Sequence, residues 1–311
     1  MPAPWWRRND EHRRGEGALL AVALELQQKA TRHGMLLMLL AVSLLPIMDA
    51  IAKELTERYP VMQVTWGRYV FTLACIVPQL FWRYRDQLLA IPQPGLQLVR
   101  GLAQVSATFL FFLTLTFLPL ADTVALAFMY PLIVTALAPF VLGESVGWRR
   151  CAAVALGFIG ALVIIRPGLG VFQPASVFGL GIGFAFAVYI LLTRKLRGRT
   201  PPLVTLGWVA AIGVVATSLV VPFVFVPMAW ADWLGLLLIG LLGAMAHQCI
   251  IRAFEMAPAA VLSPLGYAEI LMAVLIGYLW FGDLPDGFTW AGILIIAGAG
   301  LYVGWRERRA G

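Results

Sequence analysis

ADTVALAFMYPLIVTALAPFVLGESVGWRRCAAVALGFIGALVIIRP, residues 121–167, holds two apolar runs, 121–142 and 149–166, joined by a short turn built on Gly143-Glu144. Each run approaches the ~20 residues an α-helix needs to cross a hydrocarbon core. The pattern occurs twice. Phe117, Val124 and Tyr130 recur at one fixed spacing as Phe254, Val261 and Tyr267, and the second set also runs into a small acidic turn, Gly282-Asp283. About five long apolar segments separate the copies. An odd number sends the second copy into the bilayer from the opposite side, which is the layout of a carrier with inverted repeats.

Working outward, ten apolar segments fall at 34–55, 61–82, 96–117, 121–142, 149–166, 177–196, 203–222, 233–254, 259–281 and 288–305. The expected fold class is an all-α polytopic membrane protein, its ten transmembrane helices arranged as two inverted five-helix repeats. The first repeat takes 34–167 and the second 168–305, with 1–33 as a cytoplasmic extension and 306–311 as a cytoplasmic tail. Composition agrees: 61% of the 311 residues are hydrophobic, 13% are charged, and the mean hydropathy is +0.85. A soluble domain has about 45–50% apolar and about 25% charged residues, so there is too little polar surface here to cover a soluble globule. Residues 17–31 could form an interfacial helix, but the basic, polar N-terminus reads more simply as a disordered extension, and Met35 leaves an over-called start codon open. The first apolar run is too long for a cleaved signal peptide and lacks a small-residue cleavage site.

Basic residues give the orientation. With the N-terminus inside, seventeen Lys and Arg lie on the cytoplasmic side, against Lys53, Arg58 and Arg166 opposite. Both termini are therefore expected in the cytoplasm. The net charge of +7 reflects that topology and contact with anionic lipid, and no nucleic-acid partner is expected. Cys75, Cys151 and Cys249 show no paired spacing and read as packing residues, and with only His12, His33 and His247 no metal cluster and no cofactor are expected.

The repeat extends to Trp66 with Trp208 and Pro78 with Pro222, at an offset that drifts by several residues. With both copies in place, residues 34–305 resemble the EamA domain of the drug/metabolite transporter (DMT) superfamily. The motifs are a glycine followed by an acid after the fourth span of each half, then a glycine-rich fifth span. The resemblance implies a ten-helix secondary transporter with a central cavity between its halves, and spans five and ten in packing or dimer contacts. Gly157, Gly160, Gly298, Gly300 and Gly304 offer the small faces for this, in either role. A monomer and a homodimer both stay open.

Functional groups are sought among polar side chains the membrane should exclude, since a charge at mid-bilayer costs at least about 2.5 to 3.5 kcal/mol. Glu269, halfway along span nine beside Tyr267 and after Pro264, suits reversible protonation or a cationic group on the substrate, or else a structural hydrogen bond. Arg68, near Trp66 and Tyr69, could grip a carboxylate or phosphate, or snorkel outward. His247 and Gln248 in span eight could complete a polar pocket, or simply pack. Asp49 and Lys53, one turn apart in span one, read as an intrahelical ion pair. Tyr130, Tyr189, Trp208 and Tyr267 could supply aromatic walls, packing or interface belts being the ordinary alternative. Pro131 and Pro264 interrupt spans four and nine at unmatched positions, so bending is expected to differ between the halves.

Other motifs lack context. Gly143-Glu144-Ser145-Val146-Gly147 matches a nucleophile pattern but sits in a helix connection, and none of the three lysines follows a glycine as a phosphate-binding loop requires. The resulting expectation is a transporter, not an enzyme, at home in a bacterial-type inner membrane. It exports an amino-acid-like or aromatic small-molecule metabolite, driven by a proton or substrate gradient. The alternatives are an uptake carrier for a riboflavin-like or S-adenosylmethionine-like compound and, from other classes, an intramembrane hydrolase using His247 and Ser263 or a passive channel.

Overall fold

In lipid a main chain must satisfy its own hydrogen bonds, so apolar segments of this length fold as helices. A computed structural model describes residues 5–88, 92–143, 147–166, 176–196 and 199–310. Among these there is no β-strand. The helices are α1 (Trp5–Thr56), α2 (Val61–Tyr84), α3 (Pro94–Leu115), α4 (Leu120–Ala127), α5 (Tyr130–Leu142), α6 (Trp148–Ile165) and α7 (Ser176–Lys195). After them come α8 (Pro202–Ser218), the single turn α9 (Val221–Val224), α10 (Trp230–Met256), α11 (Ala259–Gly266), α12 (Ala268–Phe281) and α13 (Gly287–Ala310).

Among the described residues, seven helical segments are long and apolar enough to cross a membrane: Gln27–Thr56, Pro94–Leu115, Leu120–Leu142, Val177–Lys195, Trp230–Met256, Pro264–Phe281 and Gly287–Trp305. Cys151–Ile165 and Pro202–Ser218 are apolar but shorter. The chain is a polytopic helical membrane protein.

The N-terminus departs from the expected disordered extension, because α1 begins at Trp5 and continues unbroken into the first span. Ala, Leu, Glu, Gln and Lys dominate 18–30, all strong helix formers, and no proline intervenes before Pro46. The boundary expected at 167/168, and Glu144 with Ser145, lie outside the described residues.

The two acidic turns show why each begins with glycine. Gly143 (φ +71°) ends α5 and Gly282 (φ +74°) ends α12, both in the left-handed conformation that closes a helix and that a Cβ disfavours. The helices that lead into these turns are both broken. The first break falls at Phe128-Met129, between α4 and α5, and the second at Tyr267, between α11 and α12. Pro119 and Pro258 precede the two upstream pieces as N-caps.

Packing follows a small set of pairs: α1 runs along α10, α3 along α7, α6 along α13, and α2 against both α8 and α10. Of the glycines expected to allow close approach, Gly160 meets Ile295 and Ile296 of α13, Gly157 meets Leu132 of α5, and Gly300 abuts the ring of Tyr267, while Gly298 and Gly304 face open space. A further close approach is Gly292, which abuts Ile164 and the Gly160 carbonyl of α6. Cys151 is exposed, which corrects its expected packing role.

Because a Cβ at Gly282 meets no atom within 4 Å, its replacement by alanine carries backbone strain alone. Gly282→Ala is expected to destabilise the protein by about 1 to 2 kcal/mol, and Gly298→Ala, an exposed helical position, to be neutral or stabilising by up to about 1 kcal/mol. Thermal unfolding of the two variants in one detergent checks the contrast.

Candidate substrate-binding site

Apolar helices leave few places for polar side chains, and here these collect in two layers. The first lies at one end of the bundle, where the end of α1 meets the start of α10 and the connection before α13. Lys53 reaches Asp283 at 3.1 Å and lies 4.4 Å from the centre of the Phe281 ring. Arg58 pairs with Asp232 at 2.8 Å, and Tyr59 donates to the same carboxylate at 2.7 Å. Arg166, the C-cap of α6, pairs with Asp286, which also accepts the Thr289 N–H and so caps α13. Gln63 makes two hydrogen bonds to the main chain of Val226. Among the described residues, every ion pair between different helices or their connections is at this end.

The intrahelical pair expected between Asp49 and Lys53 is therefore absent. Lys53 turns to Asp283, and Asp49, 4% exposed, faces inward, where its charge interacts with those of Arg68 and Glu269. Arg166 donates a hydrogen bond to Asp286 and holds its carboxyl below the usual range. That tie is complete above the ordinary carboxylate pKa and is lost only as pH falls through the lowered value.

The second layer is a cleft within the bundle, lined by Arg68, Tyr69 and Thr72 of α2, Gln104 of α3, Tyr189 of α7, Leu206, Val209 and Ala210 of α8, and Gly243 and His247 of α10. The cleft is narrow, with a cavity of about 20 Å³, room for a water molecule. Arg68 turns inward, its guanidinium 5.6 Å from the centre of the Phe112 ring. His247 donates through Nδ1 to the Gly243 carbonyl at 2.8 Å, which leaves Nε2 as an acceptor. Tyr69 hydrogen-bonds Thr108 at 2.8 Å.

Glu269 stands in the first turn of α12, directly after the break. The helix dipole favours an anion at such a start, which the reading of span nine as one helix did not reveal. Its carboxyl lies within electrostatic range of Asp49 and Tyr130. A chain of rings joins the breaks to the cleft. Tyr267 contacts Phe128 with ring centres 5.2 Å apart, Phe128 contacts Tyr130 at 5.9 Å, Tyr130 contacts Phe186 at 4.8 Å, and Phe186 stacks on Tyr189 at 5.5 Å.

Arg68, Tyr189 and His247 thus meet in the cleft, with Asp49, Glu269, Tyr130 and Tyr267 behind it. Gln248 is half-buried and lines no part of it. Trp66 and Trp208 do not join them. Trp66 donates to Ser218 and meets Trp233 edge-on, and Trp208 donates to the Leu88 carbonyl, so both indoles tie helices near their ends. Sequence reasoning missed Gln97, Arg100, Gln104 and Thr108. Their spacing of three and four residues in an apolar segment marks a polar face on α3.

The EamA-like transporter family matches residues 32–166 and again 173–304. The chain belongs to the EamA-like transporter family. This EamA-like transporter is 30% identical to a riboflavin transporter of Vibrio cholerae over 268 residues, 85% of this chain and 90% of that one. It is 25% identical to an S-adenosylmethionine uptake transporter of Rickettsia felis over 270 residues (84% and 89%), and 26% identical to the pseudopaline exporter CntI of Pseudomonas aeruginosa over 273 residues (85% and 93%). A crystal structure with 20% sequence identity aligns over 91% of this EamA-like transporter and 99% of its own chain, with a TM-score of 0.59, so the two share a fold.

If the ionic layer holds its end of the bundle shut, loosening it opens the cleft from that side. An Asp283→Asn, Asp286→Asn double variant is expected to raise the rate at which a membrane-impermeant maleimide labels a cysteine placed at Gln104 several-fold, measured on right-side-out and inverted vesicles.

Proposed function

We propose that the protein is a secondary active transporter that moves a small organic metabolite across the inner membrane by alternating access. The reading takes its ten helices as two inverted five-helix repeats, 34–167 and 168–305. Helix pairing supports this. If α1, α2, α3, α4–α5 and α6 are exchanged for α7, α8, α10, α11–α12 and α13, the pair α1 with α10 becomes α7 with α3, the pair α2 with α10 becomes α8 with α3, and α2 with α8 and α6 with α13 map onto themselves; all of these contacts occur. The breaks at Phe128-Met129 and at Tyr267 fall within about two residues of equivalent places, each at or beside the repeated tyrosine. Lys and Arg placement supports cytoplasmic termini, which puts the ionic layer on the outer face.

The observation that carries the substrate class is the opposition of charges at the cleft. Arg68 offers a planar donor fork to a carboxylate, Glu269 and Asp49 lie behind it for a cationic group, and Tyr189, Phe186 and Tyr130 supply apolar faces with polar tips. That set fits an amino-acid-like or aromatic metabolite, with Glu269 as the group that exchanges a proton or meets the substrate cation. Export is the leading direction. Uptake of a vitamin-like or nucleoside-like compound is the second reading, favoured by the relatives named for riboflavin and for S-adenosylmethionine uptake.

Mass spectrometry of cells and medium, comparing wild type with Glu269→Gln at equal membrane abundance, tests the proposal. A metabolite redistributed by wild type and at least about tenfold less by the variant is the expected outcome, and it names substrate and direction. Equal redistribution by both removes Glu269 from the mechanism, and none by either removes the transporter reading.

A further inference from the structure

Arg100 is the largest fully buried side chain among the described residues, 1% exposed in the first half of α3. Its Nη2 donates to the Thr205 carbonyl of α8 at 3.3 Å, and its Nε has no hydrogen-bond partner. Among the described residues no carboxylate pairs with it, and the titratable group its charge meets is Tyr189, a wall of the cleft. A guanidinium removed from water without a counter-ion is costly unless something supplies the negative charge.

The neighbours on the same helical face repeat the pattern. Gln97, 2% exposed and one turn before Arg100, has neither amide nitrogen nor amide oxygen satisfied. Exchanging those two atoms leaves both unmet, so the amide's assigned orientation is immaterial. Gln104, one turn beyond, lines the cleft, and its Oε1 is buried without a partner. Buried polar groups are normally hydrogen-bonded, and three consecutive exceptions on one face need an explanation.

We infer that Gln97, Arg100 and Gln104 form a second anion subsite, extending from the cleft toward the start of α3, which takes the carboxylate of the transported molecule. One guanidinium among neutral amides balances one negative charge, which suits a monocarboxylate over a dianionic phosphate. The unmet Nε–H of Arg100 and the Gln97 amide supply donors. The ring of Tyr189, stacked on Phe186, is the apolar surface that an aromatic or aliphatic body would meet once the narrow cleft widens. The inference rests on the transporter reading of the cleft and extends it, making α3 a specificity element and giving the substrate a staging point on the inward path.

Titration calorimetry of the full-length protein in detergent tests this without requiring transport, with benzoate, benzamide and inorganic phosphate as probes. Wild type is expected to bind benzoate at least about tenfold more tightly than either other probe. Arg100→Lys keeps the charge but loses the fork, and should weaken benzoate about tenfold. Gln97→Leu, close in volume, should weaken it about fivefold. In an Arg68→Lys background, benzoate binding should remain and should still fall when Arg100→Lys is added. Benzoate affinity unchanged in both Arg100→Lys and Gln97→Leu overturns the subsite, as does benzamide or phosphate binding as well as benzoate. Loss of all binding in Arg68→Lys alone also overturns it and leaves the cleft reading standing, whereas binding indifferent to both arginines removes both.

Discussion

Every N–H and C=O of a chain in hydrocarbon must be satisfied from within the protein, and this constraint governs where the fold can break. Two helices do break, at Phe128-Met129 and at Tyr267, and the free backbone groups there are met by short-range bonds such as Met129 N–H to the Leu126 carbonyl and Tyr267 N–H to the Pro264 carbonyl. The breaks are buried against protein. Phe128 packs on both repeated tyrosines, so the irregular backbone of one half is shielded by rings from both. Gly300 leaves room for Tyr267, because a side chain there would run into its ring. Glu269 owes its place to the same break, which turns a mid-span position into a helix N-terminus.

The second organising effect is the segregation of charge. Ionisable side chains gather at one end of the bundle, where Lys53, Arg58 and Arg166 find acids on other elements, and near the cleft, where Arg68, Asp49 and Glu269 lie, while others such as Arg149 and Arg252 stand exposed elsewhere. The lipid-facing surface is left to side chains such as Phe140, Phe158 and Leu294, which are exposed and apolar.

Much of this was legible in the sequence. The helical membrane fold followed from apolar runs and short connections, the glycine of each acidic turn from the conformation a helix end requires, and Glu269, Arg68 and His247 from their cost in an apolar run. What was not legible depended on how helices face each other. Pro131 and Pro264 suggested unlike bends, yet the breaks fall within about two residues of equivalent places, although Pro131 stands at the start of α5 and Pro264 inside α11. Asp49 seemed paired with Lys53 by spacing, but rotation of α1 turns one inward and the other toward Asp283. Arg100 lies only a few residues into its span, where a basic residue is ordinarily an interfacial anchor; nothing local showed that α8 covers it.

The ionic layer has a thermodynamic implication. If the halves are the inverted copies proposed above, the backbone offers two arrangements of similar intrinsic energy, whereas the ion pairs between different elements, among the described residues, belong to one end only. The balance between the arrangements is therefore set by side chains, and it shifts with whatever screens or hydrates Lys53, Arg166 and their acids. Under the proposed alternating access, the preference for one arrangement is fixed by a few partly exposed charges, and a bound molecule would have to supply only that small difference to shift it.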